Sequence, residues 1–511
     1  MPKQPPNLLL IQADQLKPQV LRAYGGTADT PHLDKLASGG VVFENAYCNF
    51  PLCAPSRFSM LSGMLPSRIG AYDNGAEFLA QIPTIAHYLR LAGYHCCLSG
   101  KQHFVGPDML HGFHERTVPE LYPTDFCWTP QWDEIWGAET RGAETRMASN
   151  NDSSGVTKAG VCRRSVQIEH DEAVLYRAVT QLHHYARNPE QPFFLTASFT
   201  HPHEPYYCLQ QFWDRYRHDD IPMPATPLAP AAEREVHTTR LLEHHGLLDG
   251  QITAAGTRVA RHAYLANVSY VDHMIGELLA TLELTGLASN TVLVITADHG
   301  DMLGEHGLWF KKHFFDHCLR VPLIIHSARY FAARRRADNV SLVDLLPTLC
   351  ELAGIDAPAR APAALDGTSL VPLCEGSTPL RAQPVYAEMT SESVPAPMFM
   401  VKHEHYKLLT GGGAPPVLYD LAADPHERCN LVPQVGAGAH LDRLRILARE
   451  QWNVEQLTAD IRLSQRRRRL VAAAWDFGAA PQWDYTPSEP VGPALLRRPG
   501  LYNDWAWQGI D

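Results

Sequence analysis

Four apolar runs in this chain end in groups suited to binding a cation or moving a proton. "NLLLIQAD" closes on Asp14 and "CCLSGKQH" on Lys101 and His103. "FFLTASFTH" closes on His201, and "TVLVITADHG" delivers Asp298 and His299. Asp14, Asp298 and His299 are the oxygen and imidazole ligands a divalent cation takes. Lys101, His103, His201 and a following Lys311 bring positive charge and proton transfer to an anion. One such ending says little, because Asp and His also cap helices and close turns. Four endings of complementary chemistry at strand termini form a set that points to a catalytic site.

A further candidate lies in "FPLCAPSRFSM". Pro55 suits a first helical turn, where its fixed φ fits and its missing N–H is not needed. Phe58, Leu61 and Met64 follow at helical spacing, which puts Cys53 at a helix N-terminus, the natural seat for an oxyanion. Arg57 lies one turn inside, within reach of position 53. The three residues between Cys53 and Arg57 are too few for a tyrosine-phosphatase loop, and no CxxC is present here. Residue type and position leave a reactive thiol, a buried structural one and the precursor of another group all open.

The elements that must carry these residues follow from the pattern. Strand-like runs alternate with helical segments such as "TIAHYLRLAG", "AVLYRAVTQLHHYAR" and "YLANVSYVDHMIGELLATLELTG". That alternation predicts an α/β fold, a large mostly parallel sheet with helices on both faces. Ligands of such sheets bind beyond the carboxyl ends of the strands, where all four endings lie. After residue 380 "QPVYAEM", "MFMVKHEHYKLLT" and "PVLYDL" predict a smaller α+β unit with a short antiparallel sheet. The expected division is 1–380, 381–475 and an aromatic, proline-rich tail 476–511 that packs on the body or a neighbouring subunit. Loops at 139–160 and 223–239 are expected to wall the site.

Among 511 residues, 45% are hydrophobic and the net charge is −11, which suits a soluble enzyme and argues against a general nucleic-acid binder. The basic run Arg466 to Arg469 reads as a solvated helix face. No run approaches the roughly eighteen apolar residues of a membrane helix. The N-terminus lacks a signal-peptide pattern, and the 11 cysteines form no framework. A reduced, cytoplasmic chain without membrane or nucleic-acid partners is the expectation.

"CAPSR" resembles the sulfatase signature C-x-P-S-R, and "GYHCCLSGKQH" resembles the second signature, ending in G-K-x-H. "SFTHPH" and "ADHGDMLGEHGLWFKK" extend the likeness to type I sulfatases of the alkaline-phosphatase superfamily. "YDNGAEF", "GKQHFVGPD" and "YPTDFCWTP" are similar to choline sulfatases within that family. The resemblance implies that Cys53 is oxidised to formylglycine (3-oxoalanine) by a formylglycine-generating or anaerobic maturation enzyme. It implies one divalent cation, calcium before magnesium or manganese, bound by Asp14, Asp298, His299 and position 53. Gln15 stands where many relatives carry a second aspartate, and its carbonyl oxygen is available in that place.

The implied chemistry is hydrolysis of a small organic sulfate monoester to alcohol and sulfate. The hydrated aldehyde attacks sulfur, His201 beside Lys311 protonates the leaving oxygen, and His103 takes the second diol proton. Arg57 and Lys101 hold the formylglycine and the developing charge. His203 is a rival proton donor to His201, and Lys312 a rival sulfate contact to Lys311. Choline sulfate is the leading substrate, with Asn74, Trp128, Glu388, Glu392 and Asp504 as pocket residues. "RMASNNDSSG" lacks the histidine of a His-Asn pair found in choline sulfatases, leaving Asn150 or Asn151 to stand in for the asparagine. Other readings are a phosphonate monoester or phosphodiester hydrolase on the same scaffold, and a non-catalytic binding relative. A homodimer or homotetramer is expected.

Overall fold

The computed structural model describes residues 5–135, 152–248, 252–378, 383–391, 393–434, 436 and 438–486. Its strands are β1 (Asn7–Asp14), β2 (Val41–Tyr47), β3 (His95–Gly100), β4 (Glu115–Val118), β5 (Gly160–Cys162), β6 (Phe193–Pro202) and β7 (Tyr207–Leu209). They continue with β8 (Thr291–Ala297), β9 (Arg320–His326), β10 (Arg334–Ser341), β11 (Val385–Met389), β12 (Met398–His403), β13 (Tyr406–Gly411) and β14 (Val417–Asp420).

Eight strands form the main sheet in the order β10-β2-β9-β8-β1-β6-β3-β4. Residues of β1, β6 and β8 are buried throughout, as continuous apolar runs covered on both faces must be. Helices lie on both faces. Cys96 Sγ meets Ala86 O at 3.6 Å in the helix Ile85–Leu91, whereas Ser99 Oγ donates to Val174 O at 3.0 Å in the helix Val166–Ala186. Those β3 positions have opposite parity and so opposite faces. The expected, mostly parallel α/β sheet is therefore present, with one departure. β9 runs antiparallel to both β2 and β8. It follows β8 through a return excursion of loop, a single 3₁₀ turn (Glu305–Gly307) and a short helix (Asp316–Leu319) instead of a full crossover, and that connection reverses chain direction.

Register decides what meets at the sheet's edge. Ala13 of β1 pairs with Ala297 of β8, and Asp14 pairs with Pro202 of β6 after a register shift. Gly100 of β3 pairs with Ser198 of β6. The residues just beyond these pairs are Asp298 and Lys101, with Asp14 and His201 between them.

The second sheet is antiparallel, β11-β12-β13-β14, followed by the helices Gly438–Gln451 and Val454–Trp475. "MFMVKHEHYKLLT" is not one strand but the hairpin β12–β13, turning at Glu404, whose φ is 53°. A small parallel pair, β5 and β7, has no counterpart in the sequence-based expectation. Of the tail, residues 476–486 are described. Trp483 sits edge-on to Phe126 at 5.0 Å, and Asp484 accepts from Thr124 Oγ1 at 2.8 Å. No helix among the described residues is long and apolar enough to cross a membrane.

Candidate active site

The helix Cys53–Ser62 is buried at every residue and carries Cys53 at its first position. Its N-terminal side has an extended Leu52 and no side-chain cap from that residue. Asn74 serves instead: its Oδ1 accepts the Ala54 N–H at 3.0 Å, satisfying one of the donors a helix start leaves unpaired. Phe58 stacks at 4.4 Å on Phe78, which lies in the loop 71–80. Gly63 ends it at φ 68°, a left-handed conformation that glycine adopts without strain.

Cys53 Sγ lies 3.2 Å from His299 Nε2 and 3.9 Å from Asp14 Oδ1. His299 Nδ1 meets Gly300 O at 3.0 Å, so the other nitrogen faces position 53. Asp298 is the hub of this rim. Its Oδ1 accepts the backbone N–H groups of Gln15 and His299, each at 3.0 Å. Its Oδ2 accepts Arg57 Nε at 2.8 Å. Arg57 also donates to Lys101 O at 2.7 Å, Ser198 Oγ at 2.9 Å and Asp14 Oδ2 at 3.3 Å. Lys101 Nζ closes the same Asp14 oxygen. Arg57 was expected to reach back toward position 53; it spends its fork on the two carboxylates, tying β1, β3, β6 and β8 together.

The ligand atoms of Asp14, Cys53, Asp298 and His299 all lie within 4.8 Å of one another, and all four residues are buried. This donor set fits a divalent cation. Burial opposes a proton on His299, yet the Asp298 carboxylate and the charge on Cys53 raise its pKa to about 9. The excess negative charge that draws a proton there would equally draw a cation. Burial alone would raise the Cys53 thiol, but Lys101, Lys311 and His299 outweigh it and hold the thiol well below its usual value. Position 53 therefore favours an anion.

His103 follows β3 with φ 59°, Gln15 follows β1 with φ 65°, and Lys312 has φ 75°. Left-handed backbone at three non-glycine residues around one centre is the strain that functional sites store. The His103 ring stacks on Tyr122 at 5.1 Å and meets Trp128 edge-on at 5.5 Å. Lys101 Nζ sits 3.8 Å over the Tyr122 ring. These two aromatics thus form a wall beside the basic groups, and Tyr122 was not anticipated.

Lys311 Nζ donates to Gln15 Oε1 at 2.7 Å and to Glu204 Oε1 at 3.4 Å. Gln15 Nε2 lies between the carboxylates of Glu204 and Asp301, 2.5 Å from each. The Gln15 carbonyl, expected to be available for a metal, is thus engaged by Lys311. Burial lowers Lys311, but Cys53 and the carboxylates of Glu204, Asp14 and Asp298 raise it above its ordinary value. His203 stands against Lys311 Nζ, with its Nδ1 2.6 Å from Glu204 O. Lys312 turns the other way, its Nζ 3.3 Å from His244.

His201 Nδ1 meets Asp171 Oδ2 at 2.7 Å, and its Nε2 is buried with no hydrogen-bond partner among the described residues. Asp171 lies on the helix Val166–Ala186, and nothing in "QIEHDEAVLYR" separates it from a surface acid. The pocket residues fare unevenly. Trp128 and Asn74 border the site. Glu388 does not present a free carboxylate to it, because both oxygens are occupied: Oε2 accepts Ser67 N at 2.7 Å, and Oε1 accepts Ser67 Oγ at 2.6 Å and Trp452 Nε1 at 2.7 Å. Glu392, Asp504, Asn150 and Asn151 lie outside the described residues. Of the expected wall loops, residues 139–151 lie outside the described residues, and 223–239 lines a separate cavity of 480 Å3 with Phe315 and Tyr419 that includes none of Asp14, Cys53, Asp298 and His299.

Residues 6–355 match the sulfatase family model, and residues 304–446 match the C-terminal model of N-sulphoglucosamine sulphohydrolase. The chain belongs to the sulfatase family. This sulfatase is a sulfuric ester hydrolase, and its relatives span its length. It is 39% identical over 502 residues to a choline-sulfatase of Rhizobium meliloti, covering 96% of each chain. A solved 2-O GAG sulfatase superposes with a TM-score of 0.69 at 25% identity, over 90% of this chain and 94% of that one. A phosphonate monoester hydrolase from Silicibacter pomeroyi has the same fold, with a TM-score of 0.70 at 23% identity, over 87% and 95%.

Proposed function

We propose that this sulfatase hydrolyses a small organic sulfate monoester, choline sulfate foremost, through a formylglycine made from Cys53 by a separate maturation enzyme. The observation that carries the reading is the buried Cys53, 3.2 Å from His299 and 3.9 Å from Asp14, in a ring of basic side chains. Asp14, Asp298 and His299, with a formylglycine at position 53, would hold a divalent cation, and that cation would supply Lewis-acid activation of the nucleophile. Calcium suits the oxygen-rich set best, with magnesium and manganese the alternatives.

The chain's own residues do the rest. Lys101 and Lys311 flank position 53 and balance charge on the sulfuryl oxygens. His201, held through Nδ1, offers Nε2 to the leaving oxygen as general acid, since an alkoxide leaves poorly without a proton. His103 accepts the proton that position 53 releases as sulfate departs. Arg57 fixes both carboxylates in place. Trp128 offers a ring face to a quaternary ammonium, and the choline-sulfatase relative supports that substrate. Eleven cysteines without a disulfide support a reducing, cytoplasmic setting. We take the assembly to be a homodimer or homotetramer.

Mass analysis of the peptide spanning Cys53 tests the precursor. Kinetics on choline sulfate, an aryl sulfate and an aryl phosphonate test the substrate. Preference for the phosphonate would replace this reading with that of a phosphonate hydrolase.

A further inference from the structure

The basic run at 466–469 is only partly a solvated face. The helix Val454–Trp475 buries Leu457, Ile461, Gln465 and Arg468, one stripe at helical spacing that turns polar toward its end. Arg468 grips Asp73 with both arms of its guanidinium, Nη1 to Oδ1 and Nη2 to Oδ2 at 2.7 Å each. The same Nη1 donates to Thr129 Oγ1 at 2.9 Å. Asp73 is fully buried and Arg468 nearly so. A charge pair removed from water in this way is strongly geometry-dependent, because neither partner has solvent to fall back on.

What the pair holds together is the wall of the active site. Asp73 Oδ1 also accepts Gly75 N at 2.9 Å, shaping the turn that presents Asn74 to the Ala54 N–H beside Cys53. Thr129 directly follows Trp128, whose ring lies edge-on to His103. The two segments touch so closely that a Cβ at Gly75 would stand 2.6 Å from Thr129 N. One guanidinium therefore bonds both segments. The neighbouring Gln465 adds to the grip by accepting Trp132 N at 3.0 Å.

We propose that Arg468 is a positioning residue for substrate selection: through Asp73 and Thr129 the C-terminal helix sets Asn74 and Trp128 against Cys53 and His103. It touches none of the reacting groups, so its effect belongs to the fit of the alcohol part of the ester. The inference rests on the reading of Trp128 as part of the substrate wall. Lysine cannot replace the planar fork that spans both Asp73 oxygens and Thr129.

The test uses the full-length, metal-loaded enzyme with position 53 converted. Arg468→Met is expected to raise KM for choline sulfate about tenfold or more while kcat stays within about threefold, the mark of lost binding without lost chemistry. Arg468→Lys should fall between the two. Asp73→Asn should act in the same direction, and the double variant should be no worse than Arg468→Met, because both changes break one pair. Hydrogen exchange in residues 72–76 and 126–130 should quicken in each variant, and far-UV circular dichroism and melting will identify any variant that fails to fold. Unaltered exchange in both segments, or a fall in kcat at unchanged KM, would overturn the proposal. Should choline sulfate not be turned over by the parent enzyme, the substrate reading fails separately. The exchange data and the KM for p-nitrophenyl sulfate then still decide the role of Arg468.

Discussion

Asp171 Oδ2 accepts from both His201 Nδ1, at 2.7 Å, and the His201 backbone N–H, at 2.9 Å. Its other oxygen accepts Thr200 N at 2.6 Å. One carboxylate from a helix thus fixes the tautomer and the aim of an imidazole at the end of β6. Burial would raise Asp171, but hydrogen bonds from His170 and His201 outweigh it and hold the group below the usual carboxylate range. The carboxylate form is therefore the favoured one. His201→Gln is expected to lower kcat for an alkyl sulfate about 10²- to 10⁴-fold, the range for a lost general acid. Asp171→Asn should lower it less but shift the pH–rate profile, because the ring can then rotate and swap tautomers. An aryl sulfate with an acidic phenol needs little protonation, so equal losses on both esters would remove His201 from the role.

Cys53→Ala should leave the fold intact, since one small buried side chain replaces another, and should abolish turnover of every sulfate ester. Chelator treatment of the parent enzyme should also abolish turnover and lower Tm, with both restored by added cation in a concentration-dependent way. Differential scanning calorimetry with calcium, magnesium and manganese in turn will rank the ions. Turnover by Cys53→Ala near the parent rate would end the nucleophile assignment.

Arg57 is fully buried against two carboxylates. Arg57→Ala leaves both without that partner, and losing one side of a buried ion pair costs about 3–5 kcal/mol. The midpoint of urea unfolding should fall accordingly, with m unchanged. Retention of the midpoint would mean that Lys101 alone satisfies Asp14 and that Asp298 finds a new donor.

Glu388 couples stability to pH. Burial raises its pKa to about 7, against the three hydrogen bonds from Ser67 and Trp452, which favour the ionised form. An acid whose folded pKa exceeds its unfolded one holds its proton longer in the native state. Its contribution is then fully present below the unfolded value of 4.5 and is lost as pH rises to about 7. The size, on the order of 3 kcal/mol, follows from about 1.4 kcal/mol per unit. Relative to Glu388→Gln, the parent should lose stability between about pH 4.5 and 7 in chemical denaturation, and KM for a cationic ester should not change. A flat difference across that range, or a large rise in KM, would return Glu388 to the substrate pocket.

Much of the fold and of the candidate site was legible along the chain. Buried parallel strands are written as unbroken apolar runs, and the residues that follow them stand at one edge whatever the strand order. That is why Asp14, Lys101, His201 and Asp298 stand together. The short motif around Cys53 specified both a helix start and a family. β9 was readable as a strand but not as an antiparallel one, since direction depends on the path of its connection and not on its own residues.

By itself, then, the sequence determined which side chains are available at the strand ends and that Cys53 begins a helix, because both follow from local periodicity and chain order. Tertiary structure alone decided which charges meet. Asp171 reaches His201 across 30 residues, Gln15 reaches Lys311 across 296, and Arg468 reaches Asp73 across 395. A buried charge takes the partner that packing brings within hydrogen-bond distance, and no local pattern records which one that will be.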